Sequence, residues 1–119
     1  MSLSGKARRT KGHNFERALA KKLRELTGLP WKRGLQTRAG GGEAADVLCH
    51  SRPEHFECKV GKAPPMRGAL LQAERDCTDP DGIPIAVVKN DGEEPIVCLR
   101  EGHFLVMFED HLNWMKIRR

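Results

Sequence analysis

Apolar residues of the first part of the chain recur at helical spacing. On one face between residues 12 and 27 lie Phe15, Leu19, Leu23 and Leu26. Lysine and arginine occupy the remaining faces, and Gly28 is a typical C-terminal stop. The pattern predicts a basic amphipathic helix over 12–27. Residues 1–11 lack the apolar stripe, and we expect a basic, flexible N-terminal arm there.

Alternating polar and apolar positions predict strands in the middle of the chain. Residues 45–60 form two short strands joined by a turn at 51–54. If this hairpin is symmetric about its turn, residue 46 pairs with residue 59. A preceding strand is predicted at 31–38, and the glycines at 40–42 form a flexible connection.

The second half of the chain continues with a helix, two strands and a helix. Pro64 and Pro65 open a helix, which ends at the turn residues 79–82. Strands are predicted at 83–89 and 96–99, and a last short helix carries Phe104, Leu105, Phe108 and Leu112. The resulting order, α-β-β-β-α-β-β-α, predicts an α/β fold with one mixed sheet flanked by helices. The 119 residues suit a single domain, expected over 12–119.

The net charge of +5 conceals an uneven distribution. Residues 1–38 hold 11 of the 21 lysine and arginine residues and only two acids. Such a basic front suggests a polyanionic partner, although a solvated basic tail explains the charge equally well. No apolar run approaches the roughly 20 residues that span a bilayer, so we expect a cytoplasmic protein without membrane contact. The four cysteines lack zinc-site spacing, which favours a reduced intracellular protein.

Candidate chemistry lies on the polar face of the predicted hairpin. Asp46 shares this face with Glu57 and Lys59, and its carboxylate is diagonal to that of Glu57. Diagonal neighbours are roughly 7–8 Å apart. Two carboxylates at this spacing can close on one divalent cation beside a lysine, which outlines a hydrolytic site. The alternative is an ion-pair ladder on a solvent-exposed sheet face. Glu16, at the edge of the first helix's apolar stripe, is either solvated or directed along the sheet.

These residues resemble the motifs of the PD-(D/E)XK nuclease superfamily, most closely those of archaeal-type and phage Holliday-junction resolvases. In that family a helical glutamate, a glycine-rich loop before an aspartate, an E-x-K element and a later glutamine follow in order. The corresponding residues are Glu16, Gly40–Gly42, Asp46, Glu57-Cys58-Lys59 and Gln72. The resemblance covers roughly residues 11–90. Ala45 stands where the family usually has proline, a change expected to alter local stiffness more than chemistry.

The resemblance implies a restriction-endonuclease-like core and a catalytic site. It implies Mg²⁺ or Mn²⁺ held by Asp46, Glu57 and the backbone carbonyl of Cys58, with Glu16 completing the shell. Lys59 would hold the attacking water or stabilise the transition state, and Gln72 would position water or the sugar-phosphate. The residues expected to contact DNA phosphates are Arg8, Arg9, Lys11, Arg33 and Arg38.

The expected function is that of a metal-dependent, structure-selective DNA endonuclease resembling a junction resolvase. Because resolution needs two cuts, the family link implies a homodimer. A related repair or restriction-like nuclease acting on flaps or duplex DNA is the closest alternative. A DNA-binding module that keeps the fold without chemistry is a second one. A phage or prophage source would suit so small a nuclease.

Overall fold

The computed structural model describes residues 4–34 and 45–117. The predicted glycine connection at 40–42, the outer part of the predicted first strand at 35–38, and Arg38 lie outside these residues. The elements, in chain order, are α1 (Gly5–Thr27), β1 (Lys32–Arg33), β2 (Val47–Leu48), β3 (Glu54–Gly61), α2 (Met66–Asp76), β4 (Ile83–Asn90), β5 (Ile96–Cys98) and α3 (Glu101–Ile117). This order confirms the predicted α/β arrangement.

The five strands form one sheet in the order β1-β2-β3-β4-β5. Strands β3 and β4 are parallel, whereas the other neighbouring pairs are antiparallel. Helix α2 makes the crossover between the parallel strands, as parallel neighbours require. The mixed sheet flanked by helices is that of a restriction-endonuclease-like core. None of the helices within the described ranges combines the length and hydrophobicity needed to cross a bilayer.

Helix α1 begins earlier than the sequence predicted. The Ser4 hydroxyl accepts a hydrogen bond from the backbone N–H of Ala7 at 3.1 Å and caps the helix at Gly5. Residues 5–11 are therefore helical, which corrects the expectation of a non-helical arm up to residue 11. The C-terminal prediction is confirmed, because Gly28 adopts φ 72° and its N–H bonds to the Arg24 carbonyl at 2.8 Å.

Helices α1 and α2 cover opposite faces of the sheet. The α1 side contains the larger core, built around Ala20, Trp31, Val47, Cys49, Phe56, Ile85 and Val87. The α2 side contains a smaller core of Ala69, Leu70, Ala86 and Val88. Leu26, predicted on the apolar stripe of α1, is instead exposed.

The register of the hairpin differs from the symmetric prediction. Val47 pairs with Phe56 and Leu48 with His55. The symmetric prediction pairs Leu48 with Glu57, so the observed register is shifted by two residues. Asp46 lies just outside the paired residues, and its N–H bonds to the Phe56 carbonyl. The shift has a local cause, because the turn closes through a hydrogen bond from the N–H of residue 52 to the carbonyl of residue 49, two residues before the predicted turn start. A two-residue shift preserves the faces, so the polar side chains stay together.

Candidate active site

Asp46 is fixed by both its backbone and its side chain. Its N–H donates to the Phe56 carbonyl at 2.8 Å, and its carbonyl accepts from the Gly34 N–H at 3.0 Å. Its Oδ2 accepts from the backbone N–H of Cys58 at 2.8 Å. The residue is 7% exposed. The aspartate therefore occupies a preorganised position at the start of β2, between β1 and β3.

Glu57 and Lys59 project from the same face of β3. Glu57 is 3% exposed and is aligned with Ala86 of the parallel strand β4. The Lys59 Nζ lies 3.6 Å from Glu57 Oε1, and the lysine side chain remains partly open to solvent. The predicted grouping of one aspartate, one glutamate and one lysine on one sheet face is therefore present in the structure.

Burial makes the two carboxylates electrostatically dependent on each other. Burial, reinforced by the charge of Asp46, raises the pKa of Glu57 to about 8. Burial also raises the pKa of Asp46, although the hydrogen bond from Cys58 works in the opposite direction. With a pKa of about 8, Glu57 holds a proton more readily than an ordinary glutamate when no metal is bound.

Cys58 contributes its backbone to the site and its side chain to the core. Strand alternation turns its thiol toward the α1 side, where it packs against the larger hydrophobic core. Burial, together with the negative charge of Asp46, raises the pKa of the thiol well above its usual value. The side chain is therefore a neutral packing group.

Glu16 is close to the site but already has a partner. Its Oε1 accepts a hydrogen bond from Arg33 Nε at 2.9 Å, and the glutamate side chain is largely buried. Its negative charge nevertheless contributes to raising the pKa of Asp46. Within residues 4–34 and 45–117, no three histidine, cysteine or acidic side chains are arranged to hold a metal. The role of Glu16 as a ligand stays a prediction.

Helix α2 brings two further polar side chains to the site's side of the sheet. Gln72 is half-buried and flanks the buried Ala73. No described residue forms a hydrogen bond with its side chain, so its predicted role also stays a prediction. Asp76, one turn beyond Gln72, adds to the negative charge that raises the pKa of Glu57.

The donor set fits a hard divalent cation. Both carboxylates are oxygen donors, and their pKa values are raised because negative charge in this buried place is unfavourable. A bound cation would relieve that penalty and displace the proton held by Glu57. Asp46 and Glu57 are therefore the residues that could hold a metal ion. Lys59, whose side chain is partly open to solvent, lies beside them.

The predicted DNA-contacting residues fall into two groups. Arg8, Arg9 and Lys11 lie in the first turns of α1, where Lys11 forms an ion pair with Asp91. Arg33 lies on β1 and is held by Glu16. Three of these basic residues therefore lie together at one end of α1, whereas Arg33 is paired with Glu16 beside the candidate site.

Two residues near the site escaped the sequence analysis. A Cβ added at Gly34 would lie 1.9 Å from the carbonyl oxygen of Ala45, so only glycine allows β1 to approach the chain just before Asp46. Asp76 follows Ala69 and Ala73 on the inner stripe of α2. Its position on the apolar stripe of α2 could have predicted that Asp76 faces the sheet. Nothing in the sequence around Gly34 indicated that its backbone lies against Ala45.

A mixed sheet between helices, with a buried Asp–Glu pair and a lysine two residues after the glutamate, defines a PD-(D/E)XK nuclease domain. The model of the family described as "Phage putative PDDEXK endonuclease" matches residues 7–117. The chain belongs to this family. Comparisons with curated proteins and with solved structures find no match.

Proposed function

We propose that the protein is a metal-dependent endodeoxyribonuclease that hydrolyses phosphodiester bonds at Asp46, Glu57 and Lys59. One observation carries the proposal. Two buried carboxylates with raised pKa values lie on one sheet face, and an ammonium group lies 3.6 Å from Glu57. A solvent-exposed ion-pair ladder would leave its carboxylates hydrated, whereas this pair is buried and its pKa values are raised.

Mg²⁺ or Mn²⁺ would be held by Asp46, Glu57 and the backbone carbonyl of Cys58, all hard oxygen donors. When bound, the cation would activate a water molecule and neutralise charge on the scissile phosphate. Glu16 could join these ligands through its Oε2, because the hydrogen bond from Arg33 goes to its Oε1.

The remaining residues would position the reactants. Lys59 would hold the attacking water or stabilise the negative charge of the pentavalent transition state, because its Nζ is partly open and lies beside the carboxylates. Gln72 would orient water or the sugar-phosphate from α2. Contacts to phosphates would come from Arg8, Arg9, Lys11, Arg33 and Arg38, which suits recognition of DNA by shape.

We further propose branched DNA, of the Holliday-junction type, as the preferred substrate, and a homodimer as the active form. Paired cuts in two strands require two sites, and one chain carries one Asp46–Glu57 pair. An intracellular protein encoded by a phage or prophage fits membership of a phage nuclease family.

The decisive experiment is cleavage of labelled four-way junction, flap and linear duplex DNA by purified protein with Mg²⁺ and with Mn²⁺. Asp46→Asn keeps the shape of the side chain but removes its charge, and we expect it to lose cleavage by about 10²-fold or more, the scale of losing one preorganised electrostatic group. Asp81→Asn, which changes an exposed aspartate in the turn before β4, is the matched control and should cleave normally.

The outcomes separate the possible substrates and functions. Symmetric nicking of junctions supports the resolvase proposal. Cutting of flaps or duplex alone would support nuclease activity and contradict junctions as the preferred substrate. A non-catalytic DNA-binding module is favoured by one observation, the lack of three converging metal ligands in the part of the chain that the structure describes. Junction binding without cleavage, and no Mn²⁺ binding by calorimetry, would establish that alternative.

A further inference from the structure

Helix α3 is the most exposed element of the protein. It runs over 17 residues from Glu101 to Ile117, and none of its side chains is buried. The radius of gyration is 15.2 Å, whereas a compact chain of this length is expected to have about 13.5 Å. The difference agrees with a helix that extends from the body of the fold and does not cover the sheet.

One side of α3 touches its own domain. Met107 lines a groove of about 420 Å³ together with Leu23, Leu29 and Trp31. Asp110, on the same side of the helix, acts electrostatically on Arg52 at the turn before β3. Met107 and Asp110 thus indicate which side of the helix is nearer its own domain.

The outward side of α3 is apolar. At 100° per residue, five side chains fall within an arc of about 100° that points away from Met107 and Asp110. They are Phe104, Leu105, Phe108, Leu112 and Met115, and we call this set the α3 apolar face. Each of the five is between 41% and 52% exposed. An apolar patch of this kind on a small domain marks an interaction site.

We propose that the α3 apolar face is the dimer interface and that its occupant is α3 of a second copy, packed antiparallel about a two-fold axis. In such an isologous pair the same residues serve both partners. The inference rests on the homodimer proposed above, which it deepens by naming the surface. Its readout, the molar mass, does not depend on nuclease activity.

The area of the face suits a dimer of this kind. A large aromatic side chain buries roughly 150–250 Å², so half-exposed phenylalanines leave on the order of 100 Å² each. The five residues together leave roughly 400–500 Å² of apolar surface. A standard interface buries about 800 Å² per partner, of which about 57% is apolar, or roughly 450 Å². The face therefore has the apolar area of one half of a standard interface.

The charges at the ends of α3 select the antiparallel arrangement. Glu101 lies in the first turn and Lys116 in the last turn. In an antiparallel pair the first turn of each helix meets the last turn of the other, so two Glu101–Lys116 attractions form across the interface. A parallel pair would place like charges together, which is unfavourable.

The test compares two charge insertions on the same helix. Phe108→Glu places a carboxylate at the centre of the α3 apolar face. Val106→Glu is the matched control, because Val106 is 55% exposed and lies on the polar side of the helix. Molar mass is measured by analytical ultracentrifugation at micromolar concentrations, and circular dichroism verifies that each variant is folded.

We expect the wild-type protein and Val106→Glu to sediment at twice the 13.4 kDa chain mass, and Phe108→Glu at the chain mass. If Phe108→Glu does not fold, Leu112→Glu on the same face replaces it. A monomeric wild-type protein, or a dimer that tolerates both face variants, overturns the inference. Equal dissociation by Val106→Glu also overturns it. A dimer without nuclease activity would refute the proposed nuclease and leave the interface standing. An active monomer would refute the interface and the proposed dimer and leave the nuclease standing.

Discussion

At the scale of residues, the central feature is a pair of buried carboxyl groups whose pKa values are both raised. Asp46 keeps the backbone hydrogen bond from Cys58, and Glu57 lacks such a donor. This difference explains why burial raises the pKa of Glu57 so far that it is the neutral member at physiological pH. The pair therefore resembles catalytic carboxyl dyads, in which different environments separate the two titrations.

The raised pKa of Glu57 predicts how the stability of the metal-free protein changes with pH. The folded-state pKa of Glu57, about 8, lies above its ordinary value of 4.5. The folded protein thus binds more protons than the unfolded chain between these values. Stability from this group is complete below pH 4.5 and is lost as the pH rises through about 8.

We expect the melting temperature in EDTA to fall across this window more steeply for wild type than for Glu57→Gln, whose amide stays neutral. Thermal unfolding measured by circular dichroism between pH 5 and pH 8.5 tests this expectation. Identical pH profiles for the two proteins would show that Glu57 titrates normally and would contradict its raised pKa.

At the scale of elements, Asp46 directly precedes a very short strand, and the chain segments on both sides of it fix its position. Strand β2 contains only Val47 and Leu48. Strand β1 contacts the chain just before Asp46 through Gly34, whose N–H bonds to the Asp46 carbonyl at 3.0 Å. The approach is so close that a Cβ at position 34 would overlap the Ala45 carbonyl. This packing fixes the aspartate without the proline that the superfamily usually has at position 45.

Gly34→Ala should therefore disturb the site from a position that carries no functional group. The added methyl forces the backbone apart, and we expect a loss of about 1–3 kcal/mol in the free energy of unfolding, as for overpacking. Cleavage should fall as well, because Asp46 moves with its carbonyl. Urea unfolding and a cleavage assay measure both effects.

Gly12→Ala is the control for this change. An added Cβ at Gly12 meets nothing within 4 Å, and alanine is the better helix former by up to about 1 kcal/mol. The control should be as stable as wild type or more so, with normal cleavage. A Gly34→Ala protein with unchanged stability and activity would show that the backbone adapts around Ala45 without moving the site.

At the scale of the whole molecule, charge and apolar surface occupy opposite ends. The first turns of α1 lie beside the C-terminal ends of β3 and β4, as the ion pair between Lys11 and Asp91 shows. The last turns of α1 lie near Trp31 and the turn before β3, on the side of α3. DNA contacts at the basic end would leave the apolar end open for a partner.

If the basic first turns of α1 contact DNA, substitutions there should change how DNA affinity varies with salt concentration. Each phosphate contact to duplex DNA contributes about 0.9 to the slope of the logarithm of affinity against the logarithm of salt concentration. Arg9→Ala removes one exposed cation of α1. We expect weaker binding at low salt and a slope reduced by roughly one contact, measured by fluorescence anisotropy.

Arg75→Ala is the matched control, because it removes an exposed arginine from the last turn of α2, away from the basic end. It should leave the slope unchanged. Equal effects of the two substitutions would indicate attraction by net charge alone, and the proposed basic end would then have no special role.

The element order and the grouping of the site residues could be predicted because both follow from local periodicity. Alternation alone places Glu57 and Lys59 on one face, and a two-residue error in register does not change that face. The start of α1 was not predictable from apolar spacing, because a serine cap and not a stripe defines it. The ion pair between Glu16 and Arg33 joins residues from different elements, and no local pattern specifies it.

Cys58 gives the site a chemical preference that its sequence position conceals. A cysteine thiolate beside two carboxylates would favour the binding of soft metal ions such as zinc, cadmium or mercury. Here the thiol lies in the core on the other face of the sheet, and burial together with the charge of Asp46 keeps it protonated. Thiophilic metals and thiol-alkylating reagents consequently find no sulfur beside the carboxylates. The protein can keep a cysteine within its E-x-K motif while the groups on the site's face of the sheet that could bind a metal ion are oxygen atoms.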